Sequence, residues 1–253
     1  MSIIMTYCIG ILVGSGLVML ADTRTNAGLD NIATFRKLHA FEVPGQSTMA
    51  VATAGNLSIS QAVINHLRAG LKDTKDAKPE KLIDQPTMFD AAQLVGRAIR
   101  QVYADDGASL EQHQSSFDVT MLLGGQIKGQ PPCLFMIYKA GNFIEATQDT
   151  PFLQIGDHKY GKPILDRAVS FETDMDDALK LALISMDSTM RSNLGVGLPL
   201  DLVVLPRDQI YWSVKRRIEP GEPYYHDLRE RWSAALRKAH LDIPKPPYAR
   251  LGV

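Results

Sequence analysis

Three residues near the start of this chain, Thr6, Asp22 and Lys37, are of the types that together could activate an alcohol. A threonine hydroxyl attacks a carbonyl only when a base within hydrogen-bond reach takes its proton. If Thr6 is the first residue of the mature chain, its own α-amine can be that base, because a free α-amine has a pKa of about 8, against about 10.4 for a lysine. A lysine ammonium nearby lowers that value further by like-charge repulsion. An aspartate would hold the lysine in place and keep it charged. Each residue also has a plainer reading. Thr6 is a β-branched residue suited to a strand, Asp22 can end a strand and cap a turn with Thr23, and Lys37 can be a solvated cation. Singly none is diagnostic; their joint placement carries the reading.

For the three to meet, the chain must fold back on itself between them. The stretch "MTYCIGILVGSGLVMLADTRTNAG" (Met5 to Gly28) allows this. It does not read as a secretory signal, because no Lys or Arg precedes Arg24 and Gly14-Ser15-Gly16 interrupts the apolar run. Those features suit a hairpin instead, with strands over Thr6–Val13 and Leu17–Asp22. A third strand over Lys37–Val43 and a fourth over Ser47–Gly55 follow. The hairpin brings Asp22 back beside the start of the first strand, and Lys37 opens the next.

Downstream, Asn56 or Ser58 is placed to cap a helix running to Leu71. Residues Leu71–Pro86, rich in Lys, Asp and Pro, read as a solvated connection, and a second helix begins at Met88. Strands are predicted from Phe117, Pro132 and Asn142, with a turn at Lys139–Asn142, and then helices over Lys162–Val169 and Asp174–Arg191. Strands "LDLVVLP" and "WSVKRRI", an amphipathic helix over Tyr224–Ala239 and a Pro-rich tail complete the chain. This order is neither strict βαβ alternation nor all-β. It fits two antiparallel sheets packed face to face, each covered outside by a pair of helices, in one domain over 1–253 with a tail from 240. No internal repeat is evident.

Other chemistries find less support. The net charge of −1, with both signs intermixed, gives no basic face for nucleic acid or an anionic membrane. No apolar run is long and unbroken enough for a membrane span. Cys8 and Cys133 fit neither a disulfide framework nor a four-ligand metal site, and two free, buried thiols are expected. "GDHKYGKP" (Gly156–Pro163) approaches a phosphate-binding loop, but Pro163 stands where Ser or Thr must bind magnesium and Asp157 would repel phosphate. The histidines lack ligand spacing. The glycine runs do not sit between a strand and a helix, and Asn56-Leu57-Ser58 matters as a glycosylation triplet only outside the cytoplasm. No cofactor or metal is expected.

The leading Thr6 with Gly10, "GLVMLADTRTNAG", "RKL" with Lys37 and "ATAGNLS" with Gly55 resemble the proteasome β-subunit superfamily. "MTYCIGI", "ADTRTNAG", "IGDHKYGKPILDR" and "SMDSTMRSNLGVGLPLDLVV" are similar, more closely, to the Anbu (ancestral β-subunit) family of bacterial proteasome-type proteases. The resemblance spans Met5 to about Lys238. It implies an α+β fold, a four-layer αββα sandwich of the N-terminal nucleophile hydrolase type, and threonine-type endopeptidase activity in a cytoplasmic homo-oligomer, ring or spiral, acting on peptide or unfolded protein.

Carried over, Thr6 is the nucleophile, Asp22 and Lys37 tune its amine, and the Gly55 N–H is the oxyanion donor. Asp157 stands where the superfamily has a serine after the loop glycine, which gives it a supporting role. Of the superfamily's Asp-x-x-Ser, Ser192 carries over, but Thr189 replaces the acid, with Asp187 a candidate substitute. Thr25, Phe35, His39, Thr53 and Leu57 are implied in the substrate pocket. Translation from Met5 would let methionine removal expose Thr6. A start at Met1 leaves the amine blocked until residues 1–5 are removed, and that form is expected to be inactive. Two alternatives stay open: a catalytically silent assembly or binding protein, and an amidase of the same chemistry acting on a small molecule.

Overall fold

The computed structural model describes residues 6–26, 32–72, 78–113 and 116–249. The segment ahead of Thr6 lies outside them, and with it the state of the Thr6 amine. The hairpin forms as β1 (Tyr7–Val13) and β2 (Gly16–Asp22), and every residue of both strands is buried. Such unbroken apolar runs require cover on both faces. One cover is the helix α4 (Met175–Ser192), which packs on β1 and β2. The other is a second sheet.

In sequence order the remaining elements of this region are β3 (Arg24–Asn26), β4 (Ile32–Thr34), β5 (Leu38–Val43), β6 (Ser47–Gly55), α1 (Leu57–Ala69), α2 (Met88–Gln112), β7 (Val119–Ile127), β8 (Cys133–Ile137), β9 (Phe143–Glu145), β10 (Phe152–Gly156), α3 (Lys162–Ala168), β11 (Leu200–Pro206) and β12 (Val214–Ile218). They build a five-stranded sheet ordered β10-β1-β2-β11-β12, a five-stranded sheet ordered β5-β6-β7-β8-β9, and the small β3-β4 pair. All the pairings are antiparallel. The fold is thus mixed α/β, with three sheets and five helices among the described residues.

One apolar layer lies where the two large sheets meet, formed by Leu17, Met19 and Ala21 with Ala50, Ala52, Leu122, Leu134, Leu153 and Ile155. A second lies under α1 and α2, where Val63, Leu67, Val95 and Ile99 meet Met49, Met121, Leu123 and Phe135. Asn56 is the cap of α1, its side chain accepting from the Ser58 N–H at 3.0 Å. No helix among the described residues is long and apolar enough to cross a membrane.

The chain divides into two compact units, Met1–Glu219 and Pro220–Val253. The second holds α5 (Pro223–Asp242), whose first residue is a proline suited to an opening turn and whose end lies past the expected Ala239.

Three features differ from the sequence reading. β10 forms an edge strand beside β1, although its alternation spans only five residues and ends in glycine, which reads as a loop. The β3-β4 pair was not signalled, because three-residue strands carry almost no periodicity. The connection expected to be solvated is partly structured: Leu71 bridges Glu80, and Leu82 is fully buried in the helix-covered layer. The Leu82-Ile83 pair, set among charged and polar residues, is too short to show a period.

Leu82→Ala is therefore expected to lower unfolding free energy by about 2–4 kcal/mol in urea titrations, through lost burial and the void left behind. Lys81→Ala beside it should change it by no more than about 0.5 kcal/mol.

Candidate active site

Thr6 stands immediately before β1 and is only 8% exposed. Its carbonyl accepts the Asp157 N–H at 2.7 Å, which ties it to the end of β10. Gly156 makes that approach possible: its φ is +83°, and a Cβ there would lie 2.0 Å from the Thr6 carbonyl oxygen.

Asp22 ends β2, opposite the start of β1, as the hairpin register requires. Its side chain is completely buried, yet it sits among donors. Oδ1 accepts from the Tyr7 N–H at 3.0 Å and from Lys37 Nζ at 2.9 Å. Oδ2 accepts from the N–H groups of Arg24 at 3.1 Å and Gly197 at 3.4 Å. Burial pushes the Asp22 carboxyl up from the ordinary carboxylate range, while the Lys37 charge and the N–H donors pull it back. Every one of these neighbours is a donor, so a proton on Asp22 would find no acceptor among them. The surroundings fit the ionised form.

Lys37 is 5% exposed and lies just before β5 rather than as its first residue. Its ammonium also donates to the Arg24 carbonyl at 2.6 Å. Its own carbonyl accepts the Thr53 N–H at 2.9 Å, which fixes its backbone to β6.

Gly55 ends β6 with φ +107°, and a Cβ there would lie 2.3 Å from the Asp118 carbonyl oxygen. Any other residue would be strained and would also push β7 away. Gly55 and Thr6 face one cleft of about 920 Å³, which Thr25, Lys37, Thr53 and Leu57 also line. Asp118, Tyr138, Asp149, His158 and Lys162 extend its walls.

The structure thus brings Thr6, Lys37, Gly55, Thr25, Thr53 and Leu57 to one cleft, with Asp22 beneath it on Lys37 and Tyr7. It does not bring Phe35 and His39 there. Phe35 is 37% exposed with its N–H bonded to the Thr23 carbonyl, and His39 faces Arg68, whose guanidinium donates toward Nδ1 at 3.4 Å. Ser192 is exposed at the last position of α4 and is not part of the cleft wall. Asp187 is buried within α4 and pairs at 3.1 Å with Arg191, one turn on. Asp157 is buried, held by Asn193 Nδ2 at 2.6 Å.

The Tyr7 and Gly197 amides and the Asn193 side chain were not foreseen as parts of this centre. They act through tertiary contacts, and the only signal for the last two is the small-residue run "SNLGVGLP". Both cysteines are free, and Cys133 is only partly buried. Burial pushes the Cys133 thiol up to about 12 and the enclosed Cys8 thiol higher. Among the described residues, no group of three or more His, Cys, Asp or Glu is placed to hold a metal ion.

No protein-family model matches the chain, and no curated protein does. Solved structures do. Anbu (ancestral beta-subunit) from Yersinia bercovieri is 44% identical, with a TM-score of 0.87 over 98% of this chain and 100% of that one. The chain belongs to the Anbu family. The Anbu complex of Pseudomonas aeruginosa, solved as a helical assembly, is 46% identical with a TM-score of 0.88, covering 97% of this chain and 100% of that one. A Gly-1 mutant of Anbu from Hyphomicrobium sp. strain MC1 is 45% identical with a TM-score of 0.87, over 95% and 99%. The similarity to these Anbu structures covers 95–98% of the chain.

His39 gives this Anbu chain a pH dependence of known sign. Burial, then the Arg68 and Arg36 charges, bring its pKa down to about 4 from 6.5. Between those values the unfolded chain binds a proton at His39 that the folded chain refuses, so stability is full above 6.5 and falls as pH drops toward 4. Unfolding midpoints measured from pH 7 to 4 should fall more steeply in the parent than in His39→Gln.

Proposed function

We propose that this Anbu protein is a proteasome-type N-terminal threonine peptidase that hydrolyses peptide bonds through an acyl-enzyme on Thr6. The observation that carries the reading is the buried Asp22–Lys37 pair at 2.9 Å, whose aspartate also accepts the N–H of Tyr7, the residue next to Thr6. In this reading Thr6 Oγ attacks the scissile carbonyl while the Thr6 amine takes the hydroxyl proton. The amine is kept partly neutral near pH 7 by the Lys37 ammonium. The Gly55 N–H donates to the oxyanion of the tetrahedral intermediate. Loss of one such donor typically costs about 10²–10³ in rate. The C–N bond then breaks, the proton passes from the amine to the leaving nitrogen, and an ester to Thr6 remains. Water, deprotonated by the same amine, hydrolyses that ester and restores the hydroxyl.

The same reading takes the two five-stranded sheets, with α1 and α2 on one and α3 and α4 beside the other, as the four-layer αββα sandwich of N-terminal nucleophile hydrolases. It also assigns a cytoplasmic location. The helical assembly of the Pseudomonas aeruginosa relative supports self-association into a spiral or ring. The peptide or unfolded-protein substrate would lie along the 920 Å³ cleft. One observation favours the catalytically silent alternative: Ser192, the serine that would brace the threonine, is exposed at the end of α4.

Two measurements separate these readings. Protein whose first residue is Thr6 should be labelled at that residue by a peptide epoxyketone, and Thr6→Ala should abolish labelling; equal labelling of the two would remove the assignment. Intact mass of the protein from its own cells should show Thr6 as the terminal residue, whereas Met1 retained throughout would favour the silent form.

A further inference from the structure

The five residues that follow α4, Asn193 to Gly197, touch both acids around Thr6. Asn193 closes the helix, its N–H bonded to the Thr189 carbonyl at 2.8 Å. Both ends of its side-chain amide are used. Nδ2 donates to Asp157 Oδ2 at 2.6 Å, and Oδ1 accepts the Gly195 N–H at 2.8 Å. An amide held at both ends cannot flip without losing a bond, so the donor stays aimed at Asp157. The Leu194 carbonyl accepts from Arg24 Nη1 at 3.0 Å, and the Gly197 N–H reaches Asp22 Oδ2 at 3.4 Å. Asp157 in turn is joined to Thr6 through its own N–H at 2.7 Å and is 8% exposed.

We propose that Asn193 is a positioning residue for the Thr6 centre, its amide locking the Asp157 carboxylate beside Thr6 while the loop it begins steadies Asp22. The proposal rests on the peptidase reading above. α4 carries no acid three residues before Ser192, and Ser192 itself is exposed. The link from the end of this helix to the threonine is made instead by Asn193 through Asp157.

A charge-assisted hydrogen bond to a buried carboxylate is directional and among the stronger ones in proteins. On this proposal the carboxylate's negative charge lies near the place of the Thr6 amine, since the Asp157 backbone is already bonded to Thr6. That charge favours the protonated amine and so opposes Lys37, which gives the pair a signature in pH as well as in rate. Asp157→Asn keeps an oxygen for Asn193 to donate to but removes the charge. Asn193→Asp sets two carboxylates against each other. Combining the two restores one donor and one acceptor with their roles exchanged.

The test uses protein beginning at Thr6, where every described residue is retained, and compares peptide hydrolysis and epoxyketone labelling across pH. Asn193→Ala should lower kcat about tenfold or more with KM unchanged, because the reacting groups are misplaced and substrate contacts are not. Asp157→Asn should move the acid limb of the kcat/KM profile to lower pH. Asn193→Asp should be slower still, and adding Asp157→Asn to it should recover at least about tenfold, a coupling that independent sites do not show.

If Asn193 only closes the helix, Asn193→Ala will lower the melting temperature and leave kcat and the pH profile of the folded protein as in the parent, which overturns the proposal. Absence of recovery in the exchanged pair also overturns it, and that comparison alone decides should Asn193→Ala not fold. A parent labelled at Thr6 with unaffected variants sinks this inference and leaves the peptidase reading standing. A parent that is never labelled sinks both.

Discussion

The Asp22–Lys37 ion pair, buried at 2.9 Å between the two large sheets, is the interaction around which the rest of this structure is arranged. Taking both charges out of water is expensive, and such a pair contributes little net stability. Removing one partner is worse, at about 3–5 kcal/mol, because the other charge is left buried and unpaired. The chain surrounds the pair accordingly. Four donors converge on Asp22, and the Arg24 carbonyl takes a second bond from Lys37. So complete a set of partners keeps both charges satisfied where little water reaches them.

That pair depends on strands distant in sequence being held in register. The β1-β2 hairpin sets Asp22 opposite the start of β1, and the β5-β6 pairing with the Thr53–Lys37 backbone bond sets the lysine. Glycine matters at two places for the same reason. At Gly55 and Gly156 a side chain would meet the Asp118 and Thr6 carbonyls, and both glycines hold the left-handed backbone that such approaches need. The cleft is therefore shaped by main chain as much as by side chains.

Much of this was legible in the sequence, and the pattern of what was not is physical. Long apolar runs bounded by turn residues gave β1, β2 and β6 within a residue or so, and helical periodicity gave α1, with Asn56 or Ser58 as its cap and Asn56 the one used. Thr6, Asp22 and Lys37 could be linked because one hairpin and one further strand sufficed to bring them together. β10 was missed because an edge strand of five residues looks like a loop, and with it went the means by which Asp157 reaches Thr6. Phe35 and His39 fell away from the cleft because of local contacts no pattern shows: Phe35 lies between β4 and β5 with its N–H on the Thr23 carbonyl, and His39 meets Arg68. Asn193 had only the run "SNLGVGLP" to mark it, since its partner is 36 residues away in sequence and meets it only in the folded chain.

Cys8 sits two positions after the threonine, yet it is wholly enclosed between the sheets and its Sγ points to the Thr53 carbonyl at 3.7 Å. Burial raises its thiol far above neutrality, so it presents no thiolate. Reagents that seek sulfur should therefore pass this centre by. Thr6 lines the cleft and Cys8 does not, so two positions of chain separate the alcohol from the thiol by access as well as by protonation.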